Sequence, residues 1–313
     1  MYTPKEAFCP ICGQPSRYYS RKRGWRIYHC ISCDHFHVFP APTRDDLARI
    51  YSSAVGYGLG RIGDLSQTSS KSAVKLDAVL SPLVGDHRRL LDVGCGDGRL
   101  LYHMRNLGWG VAGTEFSDAY VGVARSHGLE IFHGNLDDAR FNEGSFSAVT
   151  LGDVIEHLVC PRQVLASIRK LLVKNGVVVI RTPNAGCGYS RVSGTVARIT
   201  RTQWLASEAP MHVNDFTETS LSLLVSECGF RVLSCHSNGR RNFAYTVGAS
   251  GYLDGVKQYA KSATGVARSF RMLSSAALIA PVALWTLCPF LVGRLWDRMD
   301  ARGDYLSLLA QVI

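Results

Sequence analysis

Leu90-Leu91-Asp92-Val93-Gly94-Cys95-Gly96-Asp97-Gly98-Arg99-Leu100-Leu101 is the stretch from which the fold of this chain is read. Leu90, Leu91 and Val93 form a short apolar run suited to a buried parallel strand. Glycines then stand at alternate positions, Gly94, Gly96 and Gly98, ahead of a helix expected over 99–107. Such a turn lets backbone approach a ligand that any side chain would obstruct. The spacing is G-x-G-x-G with Asp92 two residues ahead of the first glycine. It is neither the G-x-G-x-x-G of dinucleotide sites nor a P-loop ending in Lys-Ser/Thr. A carboxylate at the strand end repels phosphate and suits a cationic or hydroxyl-rich ligand better. S-adenosylmethionine, with its amino group, sulfonium and neutral ribose, meets that preference.

Downstream, strands and helical stretches alternate. A second strand over 110–114 ends at Glu115, nineteen positions past Gly96. A third, 129–133, leads into Gly134-Asn135-Leu136-Asp137-Asp138. The fourth, 146–151, is followed by Gly152-Asp153-Val154-Ile155-Glu156-His157-Leu158, and the fifth, 176–182, ends in Pro183-Asn184. This alternation predicts an α/β fold with a doubly wound sheet and its ligand at the carboxyl ends of the strands.

Residues 72–237 resemble the class I S-adenosylmethionine-dependent methyltransferases. The resemblance implies a mixed seven-stranded sheet, with 230–236 as the sixth strand and 304–310 as the seventh, inserting beside the fifth. The resemblance implies that Asp92, Gly94, Cys95, Gly96 and Gly98 line the cofactor and that Glu115 grips both ribose hydroxyls. It implies that Asn135 and Leu136 hold the adenine, where the family more often has Asp beside a hydrophobic residue; Asp137 is the alternative. Asp153 would stand near the methyl group.

Ahead of this domain, Cys9-Pro10-Ile11-Cys12 and Cys30-Ile31-Ser32-Cys33 form two C-x2-C pairs with seventeen residues between them. That spacing predicts a four-thiolate zinc site closed to catalysis, built on a hairpin over 17–29. The expected division is a zinc-ribbon module over 1–40, a lid or linker over 41–71 and the methyltransferase domain over 72–313. The order of C-x-x-C, an aromatic-Pro-x-Pro segment (39–42) and a short helix ending at Tyr51 is similar to methyltransferases of bacterial sugar and surface-glycan pathways. In these the front segment covers the cofactor, and Tyr51 or Tyr57 would either reach the substrate or pack beneath the lid.

Methyl transfer to a hydroxyl is an in-line displacement that also needs a proton acceptor. Asp153, Glu156 and His157 fall within five residues. His157 as general base, oriented by Glu156, is one reading. Helix capping and packing is another. Some quinone-pathway O-methyltransferases that this segment resembles hold a divalent cation with an acidic residue, a Glu and a His there. His212, before a helix whose N-cap is Thr217, is the alternative base or a structural histidine. The Asn/Asp-Pro-Pro-Tyr/Phe motif of base-amine methylation does not follow the fourth strand.

Residues 272–293 carry no charge and are flanked by Arg268, Arg271, Arg294 and Arg298. The length suits a membrane span. A single crossing there would leave the seventh strand on the wrong side of the bilayer. A helical insert over about 250–300 is expected instead, packed on the core or lying peripherally on anionic head groups. The first thirty residues lack the apolar core of a secretory signal, so a cytoplasmic setting is expected, at most peripheral to the inner face of the membrane. The net charge of +10 fits phosphorylated or membrane-bound acceptors and also nucleic acid. The expected activity is methyl transfer to a hydroxyl of a sugar, glycan or lipid-linked small molecule. The alternative is an RNA methyltransferase that grips RNA with its ribbon and basic surface, and a cofactor-binding scaffold without turnover is the third reading.

Overall fold

The computed structural model describes residues 6–43, 45–47, 49, 64–238 and 303–313. The front part contains β1 (Ala7–Phe8), β2 (Pro15–Lys22), β3 (Trp25–Cys30) and β4 (His35–Val38). There follow α1 (Lys71–Val84), β5 (Arg89–Val93), α2 (Arg99–Asn106), β6 (Gly110–Glu115), α3 (Asp118–Ser126) and β7 (Glu130–His133). Next come β8 (Phe146–Gly152), α4 (Pro161–Leu171), β9 (Leu172–Pro183), α5 (Gly188–Thr200) and β10 (Asn214–Asp215). The last are α6 (Glu218–Glu227), β11 (Phe230–Asn238) and β12 (Tyr305–Val312).

Seven of these strands form one sheet in the order β11-β12-β9-β8-β5-β6-β7. Strands β5 to β9 pair in parallel, and β12 runs antiparallel between β9 and β11. This is the doubly wound sheet that the strand pattern predicts, and it is mixed with the last strand beside the fifth as the resemblance implies. The pleat sends neighbouring apolar residues to opposite faces. Leu91, Val93, Val149 and Ile180 join one core under α4 and α6, while Leu90, Ala148 and Val177 join the other under α1 to α3. Strand β9 begins at Leu172, earlier than its apolar run suggests. Leu172 pairs with Phe146 across a register shift, and Asn175 adopts φ 62° beside it.

The front strands form a second sheet, β1-β2-β3-β4-β10, whose last strand comes from the far side of the sequence. Asn214 pairs with His37 and Asp215 with Phe36. Tyr19, Ile27, Phe36 and Val38 of this sheet pack with Ala197 of α5 and with Trp204 and Ala209 of the following loop. Cys9, Ile11, Cys30 and Cys33 join the core that holds Phe216 and Leu221. At Gly194 a Cβ would overlap the Tyr19 hydroxyl, so α5 lies flush against β2 only because that position is glycine.

Tyr51, Tyr57 and the whole expected insert over about 250–300, including the apolar stretch 272–293, lie outside the described residues. Among the described residues no helix is long and apolar enough to cross a membrane.

Candidate functional site

The three loop glycines all take positive φ, +69° at Gly94, +57° at Gly96 and +79° at Gly98. They do so for different reasons. A Cβ at Gly94 would lie 2.6 Å from Cγ2 of Val154, and one at Gly98 2.6 Å from Cδ1 of Leu129, so both are glycine for close packing. Among the described residues a Cβ at Gly96 would meet nothing within 4 Å, so none of them stands between its backbone and an approaching ligand. Cys95 can face a ligand only with its main chain. Its side chain is buried in the core shared with Leu101 and Ile131.

Glu115 ends β6 with both carboxylate oxygens engaged. Oε2 accepts from the Gly96 N–H at 2.8 Å, and Oε1 accepts from Phe116 N–H at 2.8 Å and Ser117 N–H at 2.9 Å. The residue expected to hold a ribose thus also fixes the glycine loop. Asp92 is buried and accepts the Thr150 hydroxyl at 2.6 Å. Burial, helped by the nearby Glu115 charge and opposed by the Thr150 hydrogen bond, pushes its carboxyl up to about 7. After β7, Asn135 is exposed and Leu136 buried at the start of a short 3-10 turn. Asp137, the alternative adenine partner, accepts instead from Ser167 of α4 at 2.6 Å.

Beyond β8, Asp153 adopts φ 56°, sparse territory for a residue with a Cβ. Its carboxylate lies 3.9 Å from Arg181. Ile155–His157 then form one 3-10 turn. The turn sends Glu156 inward, 1 % exposed, where Oε2 accepts from Thr182 at 2.9 Å and, among the described residues, Oε1 has no hydrogen-bond partner. Burial raises this carboxyl to about 8. The His157 ring is held by Nδ1 donating to Met211 O at 2.9 Å, and burial moves it toward the neutral form. That donation leaves the acceptor lone pair of the neutral ring on Nε2. The His212 ring meets it edge to face at 4.8 Å.

The two histidines proposed as alternative bases therefore sit in one cluster. Glu156, His157 and His212 each present a ligand-type atom within 4.8 Å of the others. Among the described residues Asp153 does not join this group. Sequence reading missed the polar supports of the site: Thr150 under Asp92, Thr182 under Glu156, and Glu208, whose carboxylate is 3.9 Å from His212 Nε2. A lone threonine inside each buried strand was the available signal.

At the front, the Cys9 and Cys33 sulfurs lie 3.5 Å apart and those of Cys12 and Cys30 3.4 Å apart, all four within 4.8 Å of one another. A tetrahedral zinc–thiolate site with bonds of about 2.3 Å has edges of roughly 3.8 Å, so the donor set fits that ion. Ile11 N–H points to Cys9 Sγ at 3.4 Å, and the Cys33 thiol draws the Cys9 thiol toward thiolate.

A methyltransferase-domain family model matches residues 69–235, more than half of the chain. Over 104 residues the chain is 38 % identical to a ubiquinone biosynthesis O-methyltransferase of Nitrosococcus oceani, covering 31 % of this chain and 44 % of that protein. Over 118 residues it is 36 % identical to the like-named protein of Xanthomonas oryzae pv. oryzae, covering 36 % and 49 %. The chain thus spans about half the length of these relatives, or less. Among solved structures, a SAM dependent methyltransferase from Archaeoglobus fulgidus superposes with a TM-score of 0.47 at 13 % identity, over 78 % of this chain and 95 % of that one.

Proposed function

Because the chain belongs to the methyltransferase-domain family, we propose that it moves the methyl group of S-adenosylmethionine to a hydroxyl of a small-molecule acceptor. The acceptor class is a sugar, a glycan or a lipid-linked molecule; the names of the relatives make a hydroxylated aromatic ring a further member of the test panel. One observation carries the reading. Val154, between Asp153 and the Glu156–His157 turn, packs directly on Gly94, so the presumed donor loop and the histidine pair share one wall.

In this reading the Gly96 backbone and Glu115 receive the ribose side of the donor, and Asp92 supports the loop from below. Asn135 and Leu136 border the adenine, and Asp153 stands at the methyl end. The acceptor oxygen attacks the methyl carbon in line as the carbon–sulfur bond breaks, and S-adenosylhomocysteine leaves. His157 Nε2 takes the acceptor proton, the ring being held by Met211 O and flanked by His212. Glu156, protonated at neutral pH, presents no competing charge. Cys9, Cys12, Cys30 and Cys33 would hold a zinc ion, which would supply a structural cross-link of the front sheet.

Methyl-labelled S-adenosylmethionine and the full chain, offered a catechol, a monosaccharide and a lipid-linked oligosaccharide fraction, test this. Label in an ether linkage on one of them is expected. No S-adenosylhomocysteine with any acceptor would overturn it.

A second reading, methylation of RNA, is favoured by Arg21 and Arg26, like charges facing each other across β2 and β3 on the exposed side, with Arg23 at the turn. RNA affinity that falls steeply with salt would support it; salt-insensitive or absent binding removes it.

A further inference from the structure

The loop that delivers His212, between α5 and β10, is fastened to the front sheet at both ends. At its start, Trp204 N–H donates to Arg21 O at 3.0 Å, and Lys22 Nζ donates to Trp204 O and Leu205 O, each at 3.2 Å. At its end, Val38 N–H donates to Val213 O at 2.9 Å before β10 joins β4. The middle turns back on itself, with Met211 N–H and His212 N–H both donating to Glu208 O. Lys22 is the one charged side chain in the first fastening. Its ammonium lies partly buried: burial lowers its pKa to about 8 and Arg23 lowers it too, while the carboxylates of Glu208 and Asp215 favour the charge. A charge-assisted bond to two successive carbonyls fixes the loop's path more firmly than neutral bonds do.

We propose that Lys22 is a positioning residue for His212: by clamping the Trp204 and Leu205 carbonyls, it makes the front sheet set where the His212 ring meets His157. The inference rests on the reading of that pair as the acceptor-activating group, but its geometry is measurable without any acceptor. The front sheet, in this account, is the outer half of the histidine site. Its contribution passes through β2 and β4 and needs no residue of the sheet to touch the acceptor.

The test is carbethoxylation of His212 in the full chain by diethylpyrocarbonate, followed by peptide mass spectrometry, beside calorimetric titration with S-adenosylmethionine. In Lys22→Met, which keeps the aliphatic stem and loses the donor, His212 is expected to react about tenfold faster as the loop opens more often. Lys22→Arg should restore the slow rate, because its guanidinium donates to the same carbonyls, whereas neutral Lys22→Gln should react faster than the wild type. His103, distant from the loop, serves as internal reference and should not change. An unchanged His212 rate in both Lys22→Met and Lys22→Gln, with far-ultraviolet circular dichroism like that of the wild type, would overturn the proposal. So would an equal rise at His103 and His212, which would report general loosening. Failure of the wild type to bind S-adenosylmethionine would count against the proposed function and leave the positioning result standing.

Discussion

The His157 and His212 rings meet edge to face, centroids 4.8 Å apart and planes at 86°, across the whole span of β9 and α5 in sequence. Val213 N–H donating to Glu156 O at 2.9 Å and Met211 O accepting from His157 Nδ1 at 2.9 Å hold the two segments together. If the pair serves the proposed function as one unit, its members should not contribute independently. His157→Ala and His212→Ala are each expected to lower turnover on the responsive acceptor by about 10²-fold or more, the scale of general-base loss. The double variant should be little worse than the worse single, as residues of one unit are non-additive. Steady-state turnover of the three variants checks this; multiplicative losses would separate the two roles.

Asp92 supplies a pH dependence with a definite sign. Its folded carboxyl lies near 7, above the ordinary value of 3.8, because burial disfavours the charge. Folding therefore retains a proton that the unfolded chain releases. Its contribution is fully present below about pH 4 and is lost as the pH rises toward 7. Asp92→Asn, which cannot ionise, should lose less stability than the wild type between those values. Thermal melts at pH 5 and pH 8 measure it, and parallel pH profiles for the two proteins would count against the buried, protonated Asp92.

Much of this fold was legible in the sequence because buried parallel strands announce themselves as short apolar runs. The five parallel strands were found that way and the glycine turn by its spacing, whereas Glu115 and the two antiparallel strands were drawn from the family resemblance; Thr217 was read as the N-cap of α6, which it is. What was not legible depends on long-range pairing. A two-residue strand such as Asn214–Asp215 has no periodicity, so nothing local shows that it extends the front sheet or carries His212 to His157. Nor does the loop pattern tell that the Cys95 side chain turns into the core, or that Asp137 is taken by Ser167.

The packing of α5 on β2 yields a stability prediction against helix propensity. Ala normally stabilises a helix over Gly by up to about 1 kcal/mol. At Gly194 the added methyl would overlap the Tyr19 hydroxyl, and forced overpacking costs about 1–3 kcal/mol. Gly194→Ala should thus be destabilising in chemical denaturation, and Gly194→Ala combined with Tyr19→Phe less so. A stabilised single variant would refute the flush contact.

Removal of the metal expected at Cys9, Cys12, Cys30 and Cys33 should loosen the front sheet and, through β4 and β10, the His212 loop. Cys9→Ser is expected to lose zinc by elemental analysis and to melt several degrees lower, while Cys160→Ser, at an exposed cysteine outside the cluster, changes neither. A zinc-free wild type with unaltered melting on chelation would dismiss the structural ion.

Glu115 bears the central claim, because it joins the end of β6 to the Gly96 N–H at the point where the donor would lie. Calorimetric titration of S-adenosylmethionine into the wild type and into Glu115→Ala is the most direct measurement. The account predicts one site per chain in the wild type and no detectable binding in the variant. The lost backbone bonds should also lower its stability by about 1–3 kcal/mol. No binding to the wild type, or equal affinity in a folded Glu115→Ala, would contradict it.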